Sequence, residues 1–398
     1  MTFRKTSPEI AGTCSPEFHS VRDVLYRSLK EGRDIGAGVS FQVEGETVVD
    51  LWGGWTSVFK TRAWQQDTLT NIFSCTKGLA ALCVLRLADE GRLELDVPVA
   101  QYWPAFAQNG KEGITLRHIL GHRAGLPAID PLLSFTQRLE PFHFEAHLER
   151  ARPRWQPDTA HGYHALTIGW LLGRIVQIVT GKTLGRYFAD EIAKPLQLDI
   201  HIGTDRAHFS RISRPVYSLA LLEPHPDLLT LLAGVLRDGR NAVTLKALAN
   251  PLSVGLHAIT LSPTWSRIEQ PAANGMATAR DLAKLYGILA NGGRSRDGFV
   301  LLSERLLPLC WQEQSCGPDR VLKRHTRFSH GFMLSQPDRY ASFGPGTRSF
   351  GHNGLGGTLT VADPDFKVGF GYVTNCLGNY LLVDPRPRAL LDAFYRCL

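Results

Sequence analysis

The chain has 398 residues, 43% of them hydrophobic, which is enough to bury a large core in two or three structural units and excludes a small scaffold held by staples. Lysine and arginine outnumber the acids by 44 to 37, but this excess of +7 is spread along the chain with no basic tail, lysine block or basic-aromatic interleaving, so a nucleic-acid partner is excluded. Seven cysteines, odd in number and without a Cys-x-x-Cys pair, exclude a zinc or disulfide framework; no secretory signal is visible and the most apolar window, residues 228–236, is about half of a membrane span, so the expectation is a cytoplasmic protein with no membrane partner.

In chain order, residues 18–32 place Val21, Val24, Leu25 and Leu29 at helical spacing, which predicts an amphipathic helix packed on a sheet. The sheet begins with Gly38-Val39-Ser40-Phe41-Gln42-Val43 and Thr47-Val48-Val49-Asp50-Leu51, two β-branched runs joined by Glu44-Gly45-Glu46 in a hairpin. After Ser74 the apolar positions Leu79, Ala80, Leu82, Cys83, Leu85 and Leu87, closed by Gly91, predict a mostly buried helix with the serine at or near its start. Cys75 and Cys83 fall on this helix too far apart along its axis for a disulfide. From there to about residue 274 the signals are helical or loop-like, including residues 166–180 closed by Gly181 and a proline-punctuated stretch from 215 to 271. Residues 278–289, closed by Asn291-Gly292-Gly293, predict a further helix. Strand character returns in Gly357-Thr358-Leu359-Thr360-Val361 and Val368-Gly369-Phe370-Gly371-Tyr372-Val373, separated by Asp363-Pro364-Asp365, and residues 386–397 predict a helix over one face. Strands at both ends with helices between them predict an α+β fold: residues 1–80 and 275–398 as a discontinuous sheet domain, residues 81–274 as an inserted, mainly helical one, and a site in the cleft between them.

A serine hydroxyl is a poor nucleophile at neutral pH unless a base stands beside it. In Ser74-Cys75-Thr76-Lys77 the serine and lysine are three apart, which on a helix puts both side chains on one face. Burial would then be needed to keep Lys77 from permanent protonation. The sequence contains its own control: Ser57-Val58-Phe59-Lys60 has the same spacing but lies beside the hairpin in extended or turn-like sequence, and reads as a solvated pair. No serine sits in a Gly-x-Ser-x-Gly elbow, and although fourteen histidines leave a Ser-His-Asp arrangement open, no local signature points to one.

The run Asn71-Ile72-Phe73-Ser74-Cys75-Thr76-Lys77-Gly78, then Gly91-Arg92-Leu93-Glu94-Leu95-Asp96, then Ile114 to Pro127 with its His122-Arg123-Ala124-Gly125-Leu126-Pro127, resembles class C β-lactamases and especially family VIII carboxylesterases. The resemblance continues through His161-Gly162-Tyr163-His164-Ala165-Leu166-Thr167, Pro271-Ala272-Ala273-Asn274-Gly275 and Gly351-His352-Asn353-Gly354-Leu355-Gly356-Gly357, so most of the chain is covered in the family's order. It implies a β-lactamase/transpeptidase-like fold, an antiparallel sheet flanked by helices plus an inserted helical domain. It further implies Ser74 as nucleophile, Lys77 as its base, and Tyr163, partly as phenolate, relaying the serine proton and later protonating the leaving group. Ala165 stands where the lactamases carry an asparagine that contacts the antibiotic side chain, and His352-Asn353-Gly354 stands where they carry Lys-Thr-Gly. A histidine, mostly neutral at pH 7, favours neutral esters over anionic antibiotics and would help Tyr163 activate water. By resemblance the oxyanion would be held by the N–H groups of Ser74 and Leu355, with Asn353, Gly354 and Asn274 lining the site. His122-Arg123 reads as structural, fixing where two helices meet, and Trp170 and Trp265 as core. The expectation is therefore a serine esterase acting on a small-molecule ester and requiring no metal or organic cofactor. A transacylase using the same acyl-enzyme, a β-lactamase or DD-peptidase, and a homologue without turnover remain alternatives. Acyl chain length is left to residues 205–270, the segment least legible in the sequence.

Overall fold

The computed structural model describes residues 9–130, 143–217, 233–236, 243–249, 263–338 and 341–398. Nine strands form one antiparallel sheet: Ile10–Cys14 (β1), Gly36–Val43 (β2), Glu46–Gly54 (β3), Ser315–Pro318 (β4), His325–Phe328 (β5), Met333–Leu334 (β6), Phe350–Asn353 (β7), Leu359–Asp363 (β8) and Val368–Thr374 (β9). Their spatial order is β1-β3-β2-β9-β8-β7-β6-β5-β4. The β2–β3 turn holds Glu44 and Gly45 at φ 49° and 81°, the left-handed pair that a tight hairpin requires. The middle of the sheet joins the two ends of the chain, because β2 pairs with β9 with Phe41 opposite Phe370.

Alternation along β2 decides what covers each face. Val39 and Phe41 are buried with helices His19–Lys30 (α1) and, near the carboxyl end, Pro385–Tyr395, where Phe394 stacks on Phe41 with ring centres 3.9 Å apart and on Phe18 at 4.6 Å. On the other face lie Gly38 and Gln42, against Ala279 and Gly287 of a helix spanning Ala279–Ala290. With Thr76–Asp89 as α2 and Thr167–Thr180 as α3, these become α4 (Ala279–Ala290) and α5 (Pro385–Tyr395). Helix α4 approaches the sheet so closely that a Cβ at Gly369 or Gly371 of β9 would meet the carbonyl of Ala283 or Ala279 at 2.4 Å. Its first turn is capped by Thr278, which accepts from Asp281 N, and α5 is capped by Asp384 with Pro385 following. Helix α2 is buried on nearly every side and packs on α3, which ends on Gly181 at φ 72°.

The hairpin, the five long helices and the strand pair around Asp363 fall where the periodicity places them. Strands β1 and β4 to β6 are additions. Ile10–Cys14 is exposed at its three central positions, and Ser315–Pro318 alternates in burial but turns a serine and a glycine inward and ends on a proline that an edge strand tolerates, so neither shows an apolar alternation in the sequence. The proline-punctuated stretch and the apolar window 228–236 lie largely outside the described residues. Among the described residues no helix is long and apolar enough to cross a membrane, and no disulfide joins any of the seven cysteines.

Candidate active site

Ser74 sits in a single 3-10 turn, Phe73–Cys75, that leads into α2. Phe73 holds φ 45°, a left-handed conformation that costs a non-glycine residue about 1–2 kcal/mol and is sustained here by its surroundings. Phe73 N donates to Asn71 Oδ1 at 3.2 Å and Cys75 N to Ile72 O at 3.1 Å. Thr76 Oγ1 donates to Phe73 O at 2.5 Å while accepting from Gly275 N at 2.9 Å, so the turn is tied to the short strand pair Thr70–Asn71 and Met276–Ala277. One turn into the helix, fully buried Lys77 places Nζ 3.0 Å from Ser74 Oγ and 2.8 Å from Ala272 O. Burial holds its pKa well below that of an ordinary lysine. A neutral amine in this position donates an N–H to Ala272 O and turns its lone pair to the serine hydroxyl.

Tyr163 comes from the segment before α3, with its ring centre 4.8 Å from Lys77 Nζ and a side-chain hydrogen bond to Ser74. Burial raises its phenol far above the usual value, and the bond to Ser74 offsets only part of that. Burial therefore works against the partial phenolate expected from the sequence, and the amine nearest Ser74 Oγ is that of Lys77. The backbone around Tyr163 is held on both sides. Both carboxylate oxygens of buried Asp319 accept from Tyr163 N at 3.1 Å, and the same carboxylate accepts from Val321 N, Leu322 N and Thr326 Oγ1. On the other side His122 Nδ1 accepts from His164 N at 3.0 Å, and His164 Nε2 accepts from Leu126 N. His122 therefore organises the His161-Gly162-Tyr163-His164 run by its ring, with its own ring centre 5.1 Å from that of Tyr163. Asp319 was not visible in the sequence, since an isolated carboxylate far from any motif carries no signal.

His352 lies on β7, opposite Thr360, with its ring centre 6.1 Å from Tyr163. Its Nδ1 is 2.7 Å from Asn353 O and so carries the proton, which leaves Nε2 as a bare acceptor. That Nε2 is buried and has no partner among the described residues. Burial first, and Lys77 second, lower its pKa to about 3, so the ring is neutral across the working range. Gly354 has no room for a side chain: a Cβ would stand 2.4 Å from Ile72 O, so the turn 354–357 rests directly on the turn that carries Ser74. This brings the N–H groups of Ser74 and Leu355 onto touching segments, with Leu355 about a third exposed. Asn353 donates to Leu381 O at 3.0 Å and leaves Oδ1 buried without a partner among the described residues.

Asn274 is corrected. Its amide is fully buried and committed to its own loop, with Oδ1 accepting from Gln270 N at 2.9 Å and Nδ2 donating to Trp265 O and Ile268 O at 2.8 and 2.7 Å. It shapes the turn that presents Ala272 O to Lys77 and does not line the crevice. Ser57, the control, lies in a bend closed by Lys60 N to Ser57 O at 3.2 Å and belongs to no helix; Lys60 is exposed, but Ser57 is buried and not solvated as the sequence suggested. Among the described residues one group could hold a metal, Asp199, His201 and His208, but Arg211 already bonds both Asp199 and His208, placing a fixed cation where the ion would go.

A family model described as Beta-lactamase matches residues 21–393. The Esterase/beta-lactamase LipL of Mycobacterium tuberculosis is 34% identical over 394 residues, covering 94% of this chain and 85% of that protein. Among solved structures, a family VIII carboxylesterase superposes with a TM-score of 0.88 at 34% identity over 98% of this chain and all of the other. A penicillin-binding protein homologue from Caulobacter crescentus gives 0.87 at 36% identity over the same shares.

Proposed function

This chain belongs to the beta-lactamase family, and from that premise we propose that it is a serine ester hydrolase whose nucleophile is Ser74, with Lys77 as base and Tyr163 as proton donor. The observation that carries this reading is a fully buried amine 3.0 Å from a serine hydroxyl, its pKa held well below that of an ordinary lysine by burial. Ser74 gives its proton to Lys77 as Oγ bonds to the ester carbonyl carbon, and the oxyanion is held by the N–H groups of Ser74 and Leu355. Collapse expels the alcohol, which takes its proton from Tyr163 as Tyr163 takes the one held on Lys77, and leaves an acyl-serine. Water then attacks the acyl carbonyl, losing a proton to the same Lys77–Tyr163 pair, and that proton passes to Ser74 Oγ as its bond to the acyl carbon breaks and the acid departs. His352 Nε2, an acceptor only, orients that water or a donor group of the substrate.

A neutral imidazole and Ala165 offer a substrate carboxylate no fixed charge, which favours neutral esters over anionic lactams. Residues 1–80 and 275–398 are taken as the sheet domain that carries Ser74 and His352, and 81–274 as the helical insertion that carries Tyr163. Seven cysteines in no disulfide, Cys316 and Cys397 exposed among them, fit a reducing compartment such as the cytoplasm.

The test is a series of p-nitrophenyl esters of increasing chain length beside a chromogenic cephalosporin. Ser74→Ala is expected to lower ester turnover by about a thousandfold or more, while Ser57→Ala leaves it unchanged. Activity that survives in Ser74→Ala and disappears in Ser57→Ala overturns the assignment, and faster turnover of the cephalosporin than of any ester overturns the substrate class.

A further inference from the structure

Beneath the turn 354–357 lies a buried charge cluster in which Arg386, at the start of α5, has almost no exposed side-chain surface, and neither do Asp34 and Asp384. Its Nη1 donates to Asp34 Oδ1 at 2.9 Å, Cys376 O at 2.8 Å and Arg33 O at 3.1 Å. Its Nε and Nη2 both donate to Asp384 at 2.9 Å, which also caps the helix. Asp34 is held in turn by Tyr372, Thr374 and Ser28 hydroxyls at 2.5–2.9 Å. One contact of this cluster reaches toward the site: Arg386 Nη2 donates to Gly356 O at 2.6 Å. Gly356 and Gly357 sit at φ 85° and 118°, and a Cβ at Gly357 would stand 2.6 Å from that same Nη2, so the turn is pressed against the guanidinium.

We propose that Arg386 is a positioning residue for acyl transfer, fixing the Gly356 carbonyl so that the neighbouring Leu355 N–H is aimed at the developing oxyanion. The inference rests on the assignment of Ser74 and Leu355 above. A donor set locked in place before the reaction stabilises charge as it develops without reorganising, and a displacement of about 1 Å is enough to cost on the order of a hundredfold in rate. The geometry suits arginine alone: a planar fork reaches two carboxylates and three carbonyls at once, whereas a lysine ammonium is a single point.

The experiment compares Arg386→Lys, Arg386→Ala and Gly357→Ala with the parent in kcat and KM for a p-nitrophenyl ester and in affinity for a phenylboronic acid, whose tetrahedral serine adduct needs the oxyanion donors. Gly357→Ala keeps Arg386 and both of its carboxylate partners in the chain and sets a methyl group between the turn and the guanidinium, which covers the case in which loss of Arg386 prevents folding. Melting temperatures identify the folded variants, and Gly369→Ala, which loosens the sheet away from this turn, serves as the stability control. Expected are a fall in kcat of about 10- to 100-fold, KM changed less than about threefold, and boronate affinity lost in parallel with kcat. Folded variants that keep parental kcat and boronate affinity, or that lose no more than the stability control does, overturn the proposal. If Ser74→Ala is inactive and the Arg386 and Gly357 variants behave as parent, the clamp alone is wrong; if Ser74→Ala retains turnover, the underlying site is wrong.

Discussion

Burial, more than any charged partner, sets the protonation of the side chains around Ser74. It lowers the pKa of Lys77 well below that of an ordinary lysine, raises that of Tyr163, and lowers His352 to about 3. The sign of the pH dependence follows. As pH falls through the depressed Lys77 value the amine takes up a proton and the serine loses its base, so kcat/KM falls; as pH rises the rate climbs to a plateau that lasts until Tyr163 ionises far into the alkaline range. His352 contributes no inflection between about pH 5 and 9. In a profile of kcat/KM for a neutral ester, His352→Gln should change the height of the curve and leave its acid limb in place. An inflection near about 6.5 that disappears with the histidine would contradict this. Ser74 and Lys77 were singled out by their spacing, Tyr163 and His352 only by the resemblance to a family, and the structure brings all four together. The groups that aim them were not legible in the sequence. Lys77 is fixed by a backbone carbonyl, that of Ala272, and Tyr163 by a carboxylate distant in the chain, Asp319, and neither role selects a recognisable residue pattern.

Elements with both faces buried announced themselves, and those at the margins did not. β8 and β9 are buried at every position and rich in branched or aromatic residues, while β1 and β4 at the two sheet edges have little to bury. Two glycines in β9 matter more than composition suggests. Gly369 and Gly371 face the backbone of α4 at a distance that leaves no room for a methyl group, and backbone cannot rotate away as a flexible side chain can. Gly369→Ala and Gly371→Ala should each destabilise the protein by about 1–3 kcal/mol, read as a lower urea midpoint with an unchanged slope, or about 2–4 °C in Tm per kcal/mol. A substitution with an unchanged midpoint would mean that α4 moves away from the sheet freely.

At the scale of the molecule, the sheet is closed by a pairing between its first and last thirds, β2 against β9, and the site residues are distributed on either side of that closure. A chain ended after residue 366 keeps Ser74, Lys77, Tyr163 and His352 but lacks β9 and α5. It is expected to show no ester turnover and to collect in the insoluble fraction, and a soluble, active fragment would show that the remaining strands assemble without their centre. The same pairing has a consequence for biosynthesis. On the ribosome β2 and β3 emerge early, while β9 follows only when nearly the whole chain has been made, an interval of roughly tens of seconds at about 5–20 residues per second. For that time the nascent hairpin carries an open, apolar edge that any other strand could join. Survival of the newborn chain then turns on whether a chaperone occupies that edge before a neighbour on the same polysome does.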